Sequence, residues 1–452
     1  MTAPLDPAAF SPPAQRLKIA VVGAGISGMS AAWLLSKAHE VTVYEAESRL
    51  GGHSHTVDAP IASGGAVPVD MGFIVYNEPN YPNLVALFEH LGVPTQWSDM
   101  SFGVSIDGGG MEYSSLDLFA QKRNVLRPRF WSMLTDLLRF YREAPEHAVG
   151  LGEHLTSLGE YLEANRYGRA FTDDHILPQA AAIWSTSMSQ IREFPAASFI
   201  RFCQNHDLLK VSGRVEWRTV TGGSREYVRR LTAAYADRVH AGRAVRRIRR
   251  QDGAVFVTDT TGAEARFDRV LIAAHADQGL ALLADPTAHE RELLGAFAYS
   301  KNHAVLHNDV SLMPRRRKAW SAWNYVGGVG ADRGRLCVTY WMNRLQGQPE
   351  SSPLFVTLNP VRDPAPGTLI HSEIYEHPLF DAAAMRAQRQ LWSLQGQGNT
   401  WWAGAYWGAG FHEDGLQSGL AAAEHLGGVR RPWSVPNESG RITLAPQLQA
   451  AE

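Results

Sequence analysis

Gly23, Gly25 and Gly28 carry the strongest chemical signal in this chain. They lie in Lys18-Ile-Ala-Val-Val-Gly-Ala-Gly-Ile-Ser-Gly-Met-Ser-Ala-Ala-Trp-Leu-Leu35, an apolar run, a glycine turn and a helical run. In G-x-G-x-x-G spacing the first glycine permits a tight turn and the second lets a pyrophosphate approach the backbone. The third lets the helix pack against the strand. Ile26 and Ser27 open that helix, where free N–H groups and the positive dipole end hold anionic charge. A second strand, Val41-Thr-Val-Tyr44, ends in Glu45, followed by Ala46. An acid about 20 residues beyond the glycines suits a ribose hydroxyl. The predicted chemistry is dinucleotide binding.

Arg49, Gly51, Gly52 and His53 follow in Glu-Ala-Glu-Ser-Arg-Leu-Gly-Gly-His. Arg49 suits a pyrophosphate clamp, and the paired glycines let backbone pass close to the same ligand. Here the chain resembles the flavin-dependent amine oxidoreductase superfamily, which includes monoamine and polyamine oxidases, protoporphyrinogen oxidase and carotenoid desaturases. His53 departs from the arginine that usually ends the motif. The resemblance implies FAD, bound non-covalently, since no cysteine lies near the C-terminal motif.

Further residues follow from the resemblance. Asp70-Met-Gly-Phe-Ile-Val-Tyr76 resembles the family's Asp-x-Gly strand, with Gly72 beside the flavin ring and Phe73 or Tyr76 packed on it. Val245 matches the position set against the adenine, and Gly404 belongs to the last cofactor segment. Gly410-Phe-His-Glu-Asp-Gly-Leu-Gln-Ser-Gly419 resembles the final flavin motif. There a helix N-terminus at His412 faces the pyrimidine edge and stabilises negative charge on the reduced ring. Glu413 and Asp414 suit a structural role in its first turn. Phe411 stands where amine oxidases carry an aromatic wall. The superfamily often sets a lysine near flavin N5, and simple register in Tyr299-Ser-Lys-Asn-His303 assigns that place to His303, with Lys301 on the same strand face. His303, Lys301, Phe411 and Tyr76 are therefore the catalytic candidates. A metal centre needs three or four convergent ligands, and His53 with His55 falls short, so none is expected.

These residues need a scaffold that brings three distant segments together. The fold class expected is α/β: a Rossmann-type FAD-binding domain, of the amine-oxidase kind, interleaved with an α+β substrate-binding domain. The first comprises 18–78, 215–290 and 395–428, and the second 79–214 and 291–394. Residues 1–17, rich in Pro and Ala without an apolar core, are expected to be a disordered lead-in, and 429–452 a loosely attached tail. Strands are predicted at 244–248, 254–258 and 269–274, with a turn at Thr261-Gly262 and a helix from about 415 to 426. With 452 residues, 45% of them hydrophobic, the chain can bury a large core. A net charge of −2 gives no field to recruit nucleic acid, and two cysteines, Cys203 and Cys337, exclude a disulfide scaffold.

Lys122, Arg123, Arg127 and Arg129 precede an amphipathic pattern of Phe130, Leu134, Leu137, Leu138 and Tyr141. A basic stretch leading into such a helix suits an anionic membrane surface, or else a helix buried in the substrate domain. Arg315-Arg-Arg-Lys318 reads as a hairpin tip that touches head groups or water. No apolar run is long enough to span a bilayer, so the expected location is cytoplasmic, peripheral to the inner membrane.

Ala182-Ile-Trp-Ser185, Asn205-His-Asp-Leu-Leu209, Leu306-His-Asn-Asp309, Trp323-Asn-Tyr325 and Trp402-Ala-Gly-Ala-Tyr-Trp-Gly408 narrow the likeness. They resemble bacterial flavoproteins that accompany cyclopropane-fatty-acid-synthase-like methyltransferases, closest to the methyl-fatty-acyl desaturases of furan fatty acid synthesis. That resemblance implies dehydrogenation of a methylated, unsaturated phospholipid acyl chain, with hydride to flavin N5 and a diene as product. Oxygen or another acceptor would then reoxidise the flavin. Amine or polyamine oxidation, carotenoid-type desaturation and a non-catalytic flavin-binding partner of a methyltransferase stay open.

Overall fold

The computed structural model describes residues 15–151, 156–327 and 336–444. The lead-in up to residue 14 and the chain beyond 444 lie outside the described residues. Two sheets dominate. The first is parallel, ordered Thr400–Trp402, Arg269–Ile272, Lys18–Val22, Glu40–Tyr44, Val239–His240. Its central strand is buried from Ile19 to Val22, as a parallel sheet covered on both faces requires. The strands end together at Gly23, Glu45, Ala273 and Ala403, and ligands of open parallel sheets bind beyond such ends.

The helix Ile26–Leu35 is buried along its whole length. It packs between the sheet and the last helix, His412–Gly427. Glycine makes this crossing possible. A Cβ on Gly28 would lie 1.9 Å from the Gly23 carbonyl oxygen, and one on Gly419 would lie 2.3 Å from that of Ser27. The close approach brings both helix N-termini to one place.

The second sheet has seven strands: Leu369–Leu379, Ala298–His307, Phe355–Leu358, Val338–Trp341, Trp323–Val326, Phe102–Ile106 and Met111–Ser114. All neighbours are antiparallel except Trp323–Val326 with Phe102–Ile106. Helices at Pro128–Gly150, Leu177–Trp184 and Ala196–Asn205 pack around it, sharing a core that includes Phe130, Phe140, Phe171 and Phe199. Two further cores cover the parallel sheet, one on each face: Ile19, Val21, Leu34 and Leu420 on one, and Ala20, Val22, Val270 and Ile272 on the other. The α/β class holds. The helix Pro82–Leu91 joins the parallel-sheet core through Leu84, Leu87 and Phe88, although its residues were assigned to the substrate half.

Several local expectations change. In Asp70–Tyr76 the strand stops at Asp70, whose buried carboxylate accepts from Thr56 Oγ1 at 2.6 Å, Ser224 N at 2.9 Å and Gln346 Nε2 at 2.8 Å. The face of helix Pro128–Gly150 that carries Phe130, Leu134, Leu137 and Tyr141 packs inward on the core. Arg316 pairs with Glu112, and Arg317 pairs with Glu350 while stacking on Trp320, so that cluster is tied into the fold. The segment after Leu426 is anchored: Trp433 stacks on Trp33 at 5.7 Å, and buried Arg431 pairs with Glu424. Guanidinium pairing overrides the looseness that Pro and Gly content suggested. Among the described residues no helix is long and apolar enough to cross a membrane.

Candidate active site

A cavity of about 560 Å³ opens where the strands of the parallel sheet end. Its lining draws together Gly23, Gly25, Ile26, Ser27, Glu45, Ala46, Gly51, Gly52, His53, Gly72, Phe73, Val245, Gly404, Phe411 and His412. These residues span nearly 390 positions of sequence, so the fold converges the separated motifs. Gly28 lies behind the wall as the packing glycine. Arg49 does not line the cavity; it donates to the Gly52 carbonyl at 2.6 Å and braces the glycine pair. Glu45 accepts from Ala24 N at 2.7 Å and from Glu47 N at 2.9 Å, which fixes the turn around it.

His412 is the first residue of its helix, and the opening N–H groups of a helix have no intrahelical partner. Its ring stacks on Phe73 at 3.8 Å, and its Nε2 lies 2.7 Å from the Tyr227 hydroxyl. Glu413 accepts from Asn83 N and Leu84 N, capping the helix Pro82–Leu91. Asp414 accepts from Ala409 N and Phe411 N. Both acids are therefore structural.

Three catalytic candidates fall elsewhere. Tyr76 is buried behind the lining, edge-on to the lining residue Tyr81 and to Phe88, and does not itself face the cavity. Lys301 is 76% exposed and pairs with Glu376 at 3.7 Å. His303 lies 2.7 Å from the Ser372 hydroxyl and is outside the lining. Position along the strand, not the face, sets them apart. Tyr299, on the same face as Lys301 and His303, lines the cavity, as does Glu376, the register partner of Lys301. Asn302 Nδ2 stands 2.9 Å from His377 Nδ1. The strand leaves the cavity after Tyr299, so Lys301 and His303 lie beyond its lining.

His275 and His377 line the cavity and were not singled out in the sequence. His275 follows the strand Arg269–Ile272, and its place beyond a strand end was a usable signal. No comparable signal marked His377. Burial depresses the pKa of all five cavity histidines: His206 and His377 to about 4, His412 to about 3, and His53 and His275 also downward. The neutral ring is thereby favoured in each.

Aromatic and aliphatic side chains make the other wall. Phe411 stacks on Phe202 at 4.8 Å and meets Trp184 edge-on at 6.1 Å. Phe202 in turn stacks on His206 at 3.9 Å. Met100, Phe102, Ala182, Ile183, Leu208, Trp217, Trp323 and Tyr340 complete the surface.

The family model for flavin-containing amine oxidoreductases matches residues 26–350, more than two thirds of the chain. This chain belongs to the flavin-containing amine oxidoreductase family. AofH of Mycobacterium tuberculosis, which carries the name flavin-containing monoamine oxidase, is 29% identical over 307 residues, 62% of this chain and 59% of AofH. The match thus spans under two thirds of that relative's length. Three solved structures share the fold. A fatty acid isomerase from P. acnes has a TM-score of 0.63 at 17% identity, covering 91% of this chain and 98% of its own. Putrescine oxidase has 0.64 at 15%, covering 92% and 99%. Cyclohexylamine oxidase from Brevibacterium oxydans has 0.65 at 16%, covering 91% and 99%.

The cofactor of this flavin amine oxidoreductase is FAD, and the cavity fits it. A Cβ on Gly25 would meet nothing within 4 Å, which leaves open the space a pyrophosphate needs against the turn. His53 lines the cavity with a buried Nε2 that lacks a hydrogen-bond partner. Gly23, Gly25, Ile26 and Ser27 would hold the pyrophosphate, Glu45 and Val245 the adenosine, and Gly52, Gly72 and His412 the flavin.

Proposed function

We propose that this chain dehydrogenates a methylated, unsaturated fatty acyl chain of membrane phospholipid, giving a diene of the kind that precedes furan fatty acids. The observation that carries this reading is the aromatic and aliphatic half of the cavity, from Met100 and Phe102 through Ile183, Trp184, Phe202 and Tyr340 to Phe411. A hydrocarbon chain offers no polar handle, so its binding rests on apolar burial, about 0.8 kcal/mol per methylene. Solved structures of this fold act on amines and on a fatty acid alike, so the lining, not the fold, argues for an acyl chain.

Bound FAD supplies the two-electron acceptor. Phe411, Phe202 and Trp184 orient the acyl chain and exclude water. The N-terminus of helix His412–Gly427 offers fixed N–H groups to negative charge. His206 is the proton acceptor in this proposal. Its Nδ1 lies 2.9 Å from the Phe202 carbonyl oxygen, which can only accept, so the ring proton sits on Nδ1 and Nε2 carries the lone pair.

The lipid would be reached through a surface on the substrate half. Leu116, Leu118, Phe119, Val125, Leu126 and Trp131 are all exposed, Leu126 at 85%, and Lys122, Arg123 and Arg127 lie among them. Apolar side chains ringed by cations suit an anionic lipid surface. Ser115, beside this patch, donates to the carbonyl of the cavity residue Phe102 at 2.8 Å. A methyltransferase of the cyclopropane-fatty-acid-synthase kind would supply the methyl branch, and oxygen or another acceptor would remove the electrons.

The test gives FAD-loaded protein, without oxygen, vesicles of methylated unsaturated phospholipid or a polyamine. Flavin bleaching with a two-hydrogen mass loss from the acyl chain supports the proposal. Bleaching by the polyamine alone replaces it with amine oxidation, and no bleaching by either leaves only a flavin-binding protein.

A further inference from the structure

Outside the flavin cavity, two imidazoles and a carboxylate converge. His371 and Glu373 are two residues apart on the strand Leu369–Leu379 and so project from one face. His55 immediately precedes the strand Thr56–Pro60, and its carbonyl is held by Met71 N at 2.8 Å. His55 Nδ1 and His371 Nε2 each stand 3.6 Å from the same oxygen, Glu373 Oε2. All three ligand atoms lie within 4.8 Å of one another.

We propose that His55, His371 and Glu373 bind a divalent cation of the zinc class. A separation of 3.6 Å is too long for an N–H···O hydrogen bond. It is close to the spacing a metal imposes: bonds of about 2.0–2.1 Å in tetrahedral array set neighbouring ligand atoms about 3.3–3.4 Å apart. Movements of a few tenths of an ångström would bring each histidine–carboxylate pair to that spacing, and the two histidine nitrogens, within 4.8 Å of each other, would draw together on the ion. His371 Nε2 is buried and lacks a hydrogen-bond partner, so it has a lone pair or proton unused by the protein. His55 Nδ1 is 3.0 Å from the Tyr375 hydroxyl, and ion binding exchanges that contact for a coordinate bond. His371 and Glu373 are each about a third exposed, which leaves water free to take the fourth position.

The donor set selects the ion. Two imidazoles with one carboxylate favour zinc and its neighbours nickel and cobalt, whereas calcium and magnesium require oxygen donors. The bound ion would join two walls of the cavity. His55 continues the segment that carries Gly52 and His53, and Glu373 lies on the strand that carries His377. The cation is structural in this arrangement and takes no electrons.

The test uses tag-free, full-length, FAD-loaded protein stripped with chelator. Titration with zinc ion is followed by calorimetry, and cobalt(II) is added separately as a visible probe. The expected result is saturable binding of one zinc per chain, with cobalt absorption bands typical of a four-coordinate nitrogen–oxygen site. His371→Ala and Glu373→Gln should each weaken zinc binding by about 100-fold or more, with flavin absorbance and far-ultraviolet dichroism unchanged. Absence of one-to-one binding in the unaltered protein overturns the site, as does unaltered affinity in either variant.

Discussion

Gly25 and Gly28 belong to one motif yet do different work. A side chain at Gly28 collides with backbone, whereas one at Gly25 enters empty space. Gly25→Val should therefore fold and melt as a single species but purify without flavin; the visible spectrum and a thermal melt check both halves. His377 provides a pH signature. Burial lowers its folded pKa to about 4 from an ordinary value near 6.5. The unfolded chain thus binds the proton first, and this residue's contribution is full above about pH 6.5 and is lost as pH falls towards 4. The melting-temperature advantage of the unaltered protein over His377→Asn should shrink across that window in calorimetry. The glycines, Glu45 and His412 were legible because each answers a backbone or charge requirement local to its motif. His303 and Lys301 fall outside the lining because alternation names a strand face without saying how far along the strand a cavity reaches. Tyr299 shares their face and lines the cavity, and the strand leaves it beyond that residue.

The crossing of helices Ile26–Leu35 and His412–Gly427 controls the site at the level of elements. Gly419→Leu would drive a side chain into the Ser27 carbonyl, and overpacking of this kind costs about 1–3 kcal/mol. The expected outcome is a lower denaturation midpoint together with weaker FAD retention, measured by urea titration and by flavin released on dilution. The helix Pro128–Gly150 shows a limit of pattern reading. Its apolar periodicity was visible, but periodicity reports that a face is apolar and not what it meets. Phe130, Met133 and Phe140 meet the core, while Trp131 and Leu138 remain outside. The strand order of the seven-stranded sheet was equally hidden, since its pairings join segments more than 200 residues apart, as Phe102–Ile106 does with Trp323–Val326.

For the whole molecule, three large cores with a cavity between their lining elements account for a chain whose cofactor motifs are dispersed. The exposed patch around Leu126 lies on the half that carries the aromatic wall. Replacing Leu126 and Trp131 together with Glu removes apolar area and adds negative charge. Pelleting with anionic vesicles should drop severalfold at moderate salt, while flavin content and melting temperature stay within error. Equal pelleting by both proteins would remove the lipid-facing role of this surface.

Arg441 sits near the chain's far end, yet it touches the front of the site. It pairs with Asp414 at 2.6 Å, donates to the Asn80 carbonyl at 2.9 Å and lies 5.9 Å over the Phe411 ring. A protease cut just ahead of it would reach the catalytic chamber without touching any residue there. Asp414, deprived of its guanidinium, would keep only the N–H groups of Ala409 and Phe411 against its charge in a dry interior, and such a group recruits a proton or unravels the helical turn around it. The segment around Arg441 would thereby serve as a remote seal, whose loss would be reported by the flavin's own colour.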